Sequence, residues 1–222
     1  LAGALVSQAS LAQIGTPPDR PNLSGQYDGW SDPGGLFRLC PIDEPRADCR
    51  EAPLTTAGAE TARAFDYDAY MEQYGTSCTV AHMPAATDPG RYLLGLYQQD
   101  DVVNITYQRT DTIRAVRMTS VLPPEIMPHT RLGYSVGSWD DDVLVVVTTH
   151  LTGGYIGPRS GLPYSEQATV TERFWLELET AELNQEVTLE DPVNYTEPFI
   201  MSHKRFEPRP EWDWTPWNCS LW

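Results

Sequence analysis

Residues 132–151 read L-G-Y-S-V-G-S-W-D-D-D-V-L-V-V-V-T-T-H-L, and the architecture can be built outward from them. The stretch has the form of two strands joined at an acidic turn. Ser138, Trp139 and the triplet Asp140, Asp141 and Asp142 interrupt an otherwise apolar pattern. The run 143–147, V-L-V-V-V, is β-branched and aliphatic without a break, the composition of a strand buried on both faces. A hairpin of this kind belongs at the centre of a β-rich core.

Strand-like segments flank it on both sides. Upstream, 92–98, 102–108 and 113–118 are separated by turn residues at Asp100-Asp101 and Thr110-Asp111. A proline-rich loop, 123–128, then leads to His129. Downstream, a glycine-rich loop at 153–161 precedes strand-like segments at 169–178, 186–189 and about 196–206. Strands recurring at this spacing with few helices predict a mostly antiparallel β-barrel. Near the start, 22–27 reads N-L-S-G-Q-Y, where a glycine permits close backbone approach and an aromatic two residues later can plug a barrel end. This resembles the G-x-W signature that opens lipocalin-like barrels, with Tyr27 in place of tryptophan, so the fold is expected to be lipocalin-like in the broad sense.

One short helical segment near 55–74 interrupts the β pattern. Thr55 or Thr56 can cap its start, with Glu60 in the first turns to complement the helix dipole. The first piece is expected to reach about Phe65. A second covers 67–74, where Tyr67, Tyr70, Met71 and Tyr74 recur at helical spacing, a stripe read as core packing.

At 222 residues the chain is long enough for one sizeable core. Residues 1–18 read as a signal-peptide remnant or an N-terminal interaction arm, with Ser10-Leu11-Ala12 a small-x-small site before Gln13. Residues 19–222 then form a single β-barrel domain with an aromatic C-terminal tail. That tail carries Trp212, Trp214, Trp217 and Trp222, enough apolar surface to cover a barrel end or a partner.

The formal net charge of −16 excludes nucleic acid as a partner, because so acidic a chain cannot neutralise a row of phosphates. It argues equally against an anionic membrane surface. Basic charge is almost all arginine, with Lys204 the only lysine. Four cysteines suit an oxidising compartment, periplasmic or extracellular, and their spacing matches no zinc pattern. Of the three pairings that four cysteines allow, we favour Cys40–Cys49 as a local loop and Cys78–Cys219 as a clip on the C-terminus. Unpaired buried thiols are the alternative.

Several of these motifs together resemble a large uncharacterised family of secreted bacterial proteins. The likeness is carried by Pro21-Asn22-Leu23-Ser24-Gly25, by Pro53-Leu54-Thr55 with Ala57-Gly58, and by Gly133-Tyr134-Ser135-Val136-Gly137-Ser138-Trp139. It continues through Leu144-Val145-Val146, Glu172-Arg173-Phe174, Glu190-Asp191-Pro192 and Asn218-Cys219. Family members typically read P-D-L-S-G-x-W at the start and G-x-S-x-G-x-W-E-G-D-x-L-V-V in the middle. Here Tyr27 replaces the tryptophan, and Asp140-Asp141-Asp142 replaces E-G-D. The resemblance implies an exported, β-barrel-like domain and supplies no activity.

Candidate chemistry is sparse. Gly133 to Gly137 match G-x-S-x-G, the nucleophile elbow of α/β-hydrolases, but that chemistry needs a strand-to-helix turn and here another strand follows. The glycines are better read as letting the strand bend or pack closely beside Trp139. Among His82, His129, His150 and His203 no pair has metal-ligand spacing, so neither metal nor cofactor is expected. His150 ends the central strand at an expected barrel mouth, as a ligand contact or as a structural histidine bonded to a loop carbonyl.

In T-V-T-E-R-F-W-L-E-L, 169–178, alternation puts Val170, Glu172, Phe174 and Leu176 on one face. If that face is interior, Glu172 needs a partner, with Arg173 or Arg117 as candidates. Such a carboxylate is either a general base or half of a structural ion pair.

Two function classes follow. One is an exported, non-catalytic β-barrel protein. It acts either as a subunit of an envelope-associated or extracellular assembly or as a binder of a small apolar ligand. Its protein partners, self or membrane-associated, would be held through the N-terminal arm and the aromatic tail, and a ligand would meet His150, Trp139, Glu172 and Arg173. The other is a cofactor-free barrel enzyme, an isomerase, cyclase or hydrolase, with His150, Glu172 and Tyr164 as its acid–base set.

Overall fold

The computed structural model describes residues 20–28, 39–45, 49–74, 82–87, 92–119, 121, 123–157 and 160–218. The expected arm at 1–18, the expected Cys78–Cys219 bridge and Trp222 lie outside these residues. In chain order the elements are β1 (Gly25–Asp28), α1 (Thr56–Arg63), α2 (Tyr67–Tyr74), β2 (Leu93–Gln98), β3 (Val102–Tyr107) and β4 (Thr112–Met118). Then come β5 (Tyr134–Asp140), β6 (Val143–Thr149), β7 (Gly154–Tyr155), β8 (Pro163–Tyr164), β9 (Thr169–Leu176), β10 (Leu183–Glu190) and β11 (Phe199–Pro208).

Nine strands close into a barrel in the order β1-β11-β10-β9-β6-β5-β4-β3-β2, while β7 and β8 form a small separate ladder. The barrel pairs are antiparallel except β4–β5, which is parallel. The reason is the connection 119–133. It returns the chain to the middle of β4, where Ser135 lies opposite Val116, so β5 sets out in the same direction.

The β5–β6 hairpin forms as its sequence predicts, with Asp140 opposite Val143. Its turn uses Asp141 at φ 51°, a left-handed conformation that aspartate tolerates better than most residues. That is the position at which the resembled family pattern carries glycine. Along β6, Leu144, Val146 and Thr148 are buried, whereas Val143, Val145 and Val147 are half-buried. The strand is therefore enclosed on its inner face only, because the barrel's outer surface is partly covered rather than sandwiched.

Inward side chains from the whole ring fill the barrel, among them Leu96, Ile105, Leu144, Phe174, Leu183 and Phe206, all essentially without exposure. Close packing of this kind leaves little slack, so truncating Phe174 to alanine would cost about 3–5 kcal/mol.

Helix α1 sits against the turn that follows β10. Thr55 caps α1 by accepting from the Gly58 N–H at 3.0 Å, and its own N–H donates to the Asn194 carbonyl at 2.8 Å. A Cβ at position 58 would lie 2.2 Å from that same carbonyl oxygen, so the helix can approach this closely only with glycine there. Within α2 the aromatic stripe divides: Tyr70 is buried but Tyr67 is exposed. Cys40 and Cys49 form a disulfide, closing the loop before α1. The C-terminal tail lies over the β3–β4 turn. There Asp111 accepts from the Trp217 N–H at 2.8 Å, and the Trp217 ring packs edge-on against Tyr92 at 4.9 Å.

Candidate functional site

The densest polar chemistry lies inside the barrel, on β4, β6, β9 and β10. Alternation along β9 turns Glu172 inward, and it is 0 % exposed. Its partner is Arg114 of β4, whose Nη1 donates to Glu172 Oε2 at 2.5 Å, rather than Arg173 or Arg117. The Gln185 side chain donates to the other carboxylate oxygen at 3.0 Å. Arg114 Nη1 also reaches Thr148 Oγ1 at 3.2 Å, and Thr148 shares a hydrogen bond with Ser135 at 2.9 Å. Ser135 is the serine of the G-x-S-x-G sequence. It is the second residue of β5, an extended strand followed by another strand, so no nucleophile elbow is formed.

Electrostatics fix the charge state of this cluster. Burial, the largest single effect, would make Arg114 easier to deprotonate, but the Glu172 carboxylate and the Tyr107 hydroxyl together outweigh it and hold the guanidinium above its ordinary pKa. Burial pushes the neighbouring Tyr107 hydroxyl up as well. Glu172 thus serves as the counter-ion of an enclosed cation. Arg117, the other cation considered, points outward and stacks on Tyr134, its guanidinium carbon 4.7 Å from the ring centroid. Lys204, the only lysine, is also buried, on β11 opposite Gln185.

The remaining candidate residues stand elsewhere. His150 leaves the strand at φ 58° and sits beside Thr149 Oγ1 at 2.8 Å and the Pro124 carbonyl at 3.2 Å. His129 lies beside it, ring centroids 5.3 Å apart. Tyr164 is buried under α1 and α2 and meets His82 Nδ1 at 3.4 Å, while His82 Nε2 meets Tyr70 Oη at 3.2 Å. No hydrogen bond joins His150, Tyr164 and Glu172 among the described residues. Arg173 lies outside the barrel and pairs with Asp140 at 2.8 Å. Trp139 stands at the barrel rim near the β2–β3 turn, with the Arg20 guanidinium carbon 5.8 Å from its ring centroid.

A second buried carboxylate, Asp191 of the E-D-P sequence, accepts from the Ser165 N–H and hydroxyl and from Asn194 Nδ2, each at 2.7 Å. Those donors satisfy it fully and tie the β8–β9 connection to the β10–β11 connection. Among the described residues no group of three or more His, Cys, Asp or Glu side chains is placed to hold a metal ion. In comparison with known proteins, the chain matches no family model and no curated protein.

Proposed function

We propose that this chain is an exported, non-catalytic β-barrel protein that acts as a subunit of an envelope-associated or extracellular assembly. The observation that carries the reading is a contrast between the inside of the barrel and one part of its outside. The interior is filled by its own side chains, and its deepest carboxylate is committed to Arg114. On the outside, the connection segment 121–128 reads V-L-P-P-E-I-M-P, and its Val121 and Ile126 are 72 % and 90 % exposed. An apolar strip of that kind on so acidic a molecule favours a protein partner over bulk water. The Cys40–Cys49 disulfide is compatible with a periplasmic or extracellular location. The resemblance to secreted bacterial proteins points the same way.

A cofactor-free enzyme using Glu172, His150 and Tyr164 is the weaker reading, since those three groups are engaged with separate partners. The test is light scattering on the natively processed protein after size exclusion. The comparison forms are one lacking residues 1–18 and a Val121→Asp/Ile126→Asp variant. An oligomer or a co-purifying partner, lost in either altered form, supports the assembly. Monomers throughout would overturn it.

A further inference from the structure

Beside the Arg114–Glu172 pair, the barrel encloses the chain's only lysine together with a side-chain amide. Lys204 of β11 and Gln185 of β10 stand directly opposite each other in the antiparallel ladder. Residues paired in this way project from the same face of the sheet with Cβ atoms about 5 Å apart, within reach of a lysine side chain. That face is the interior, since Lys204 and Gln185 are 8 % and 1 % exposed while the neighbouring Arg205 faces solvent. The third member is Glu172 of β9. Its Oε1 accepts from Gln185 Nε2 at 3.0 Å, while its Oε2 is held by Arg114. Gln185 Oε1 is enclosed without a hydrogen-bond partner, so the amide is gripped on its nitrogen side alone.

An amine, a carboxamide and a carboxylate enclosed together can make a covalent link without outside help. We propose that Lys204 and Gln185 form an intramolecular isopeptide bond that joins β10 to β11. Lys204 Nζ, as the neutral amine, attacks Gln185 Cδ, so that an Nζ–Cδ bond forms and the Cδ–Nε2 bond breaks. Glu172 takes the proton that the attacking nitrogen sheds and delivers it to Nε2, which leaves as ammonia. The carboxylate is regenerated, and no oxidant or other reactant is consumed. Enclosure keeps bulk water from the same carbon, which favours transfer to the amine over hydrolysis. Gln185 rather than Glu172 is the electrophile. A carboxylate held at 2.5 Å by a guanidinium keeps a negative charge that repels an incoming electron pair, and an amide carries none.

The proposal is tested by the intact mass of the folded full chain after reduction of its disulfide. The expected mass lies one ammonia below that of the sequence. Proteolysis should then yield a branched peptide in which Lys204 is joined to Gln185, and Lys204→Arg should restore the full mass. In chain recovered unfolded and then refolded, the ammonia should be lost as the barrel forms, and at least about a hundredfold more slowly in Glu172→Gln. Peptide mapping of the unaltered chain identifies the bond directly, so the outcome does not depend on either variant folding. A folded protein at full mass would overturn the proposal, as would ammonia lost elsewhere with Lys204 unmodified. Loss of water with Lys204 joined to Glu172 would overturn it too. An unchanged rate in a folded Glu172→Gln variant would overturn the role given to Glu172.

Discussion

Arg114 and Glu172 illustrate why a buried ion pair is a constraint more than a source of stability. Removing two charges from water costs several kcal/mol per ion, and the pair recovers this only while both members and their hydrogen bonds are present. Arg114 has one well-used nitrogen, Nη1, whereas Nε and Nη2 are enclosed without a hydrogen-bond partner. Losing the carboxylate would therefore strand a cation already short of acceptors. Glu172→Gln should cost about 3–5 kcal/mol in urea unfolding, and adding Arg114→Met should recover most of that loss. A single-variant cost below about 1 kcal/mol would mean that the pair is not enclosed as described.

At the scale of elements, the close seat of α1 on the Asn194 carbonyl depends on a missing side chain. Gly58→Ala is expected to lower stability by about 1–3 kcal/mol, although alanine is the better helix former, because the helix must back away from its turn. Thr55→Ala should cost about 1 kcal/mol through the lost cap. Thermal unfolding of the two variants orders the effects, and a stabilised Gly58→Ala would show that the helix floats free.

The same scale shows what the sequence made legible. Strand-like composition and turn residues located β2, β3, β4, the β5–β6 hairpin and β9 to within a residue or two, and the helical spacing of Tyr67, Tyr70, Met71 and Tyr74 located α2 at its observed bounds. The Glu172 side was also readable, because Val170, Phe174 and Leu176 share its face. Its partner was not. In β4, Ile113 faces solvent while Arg114 faces in, so the hydrophobic pattern on that strand points the wrong way. The parallel β4–β5 pair was hidden for a different reason, since strand direction is set by where a long connection lands. The ligand set His150, Trp139, Glu172 and Arg173 was assembled from positions near strand ends and on one strand. Nothing in a linear pattern says which end of the barrel each occupies.

For the molecule as a whole, acid should act through the buried histidine His82. Burial lowers the pKa of His82 from 6.5 to about 4; a backbone hydrogen bond at Met83 opposes this, while Arg131 and Arg109 add to it. Below pH 6.5 the unfolded chain takes up a proton that the folded chain refuses until about pH 4, so stability drops across that interval. The slope from this residue is at most about 1.4 kcal/mol per pH unit. Urea midpoints taken from pH 7 to pH 4 should fall less steeply for His82→Gln than for the unaltered chain. Parallel curves would remove His82 as the cause.

The barrel is closed where β1 meets β11, through Tyr27 with Pro208 and Asp28 with Glu207. Such a joint links the earliest described strand to the last, so chain-closure entropy is met in full before these two contacts return anything. Until then the nine strands amount to an open sheet with two raw edges, β1 and β11, each a template for a neighbouring chain. The interval between synthesis of β2 and capture of β1 by β11 is the period in which this protein is most exposed to misassembly. Speed of ring closure, rather than depth of the native well, then sets the yield of folded molecules.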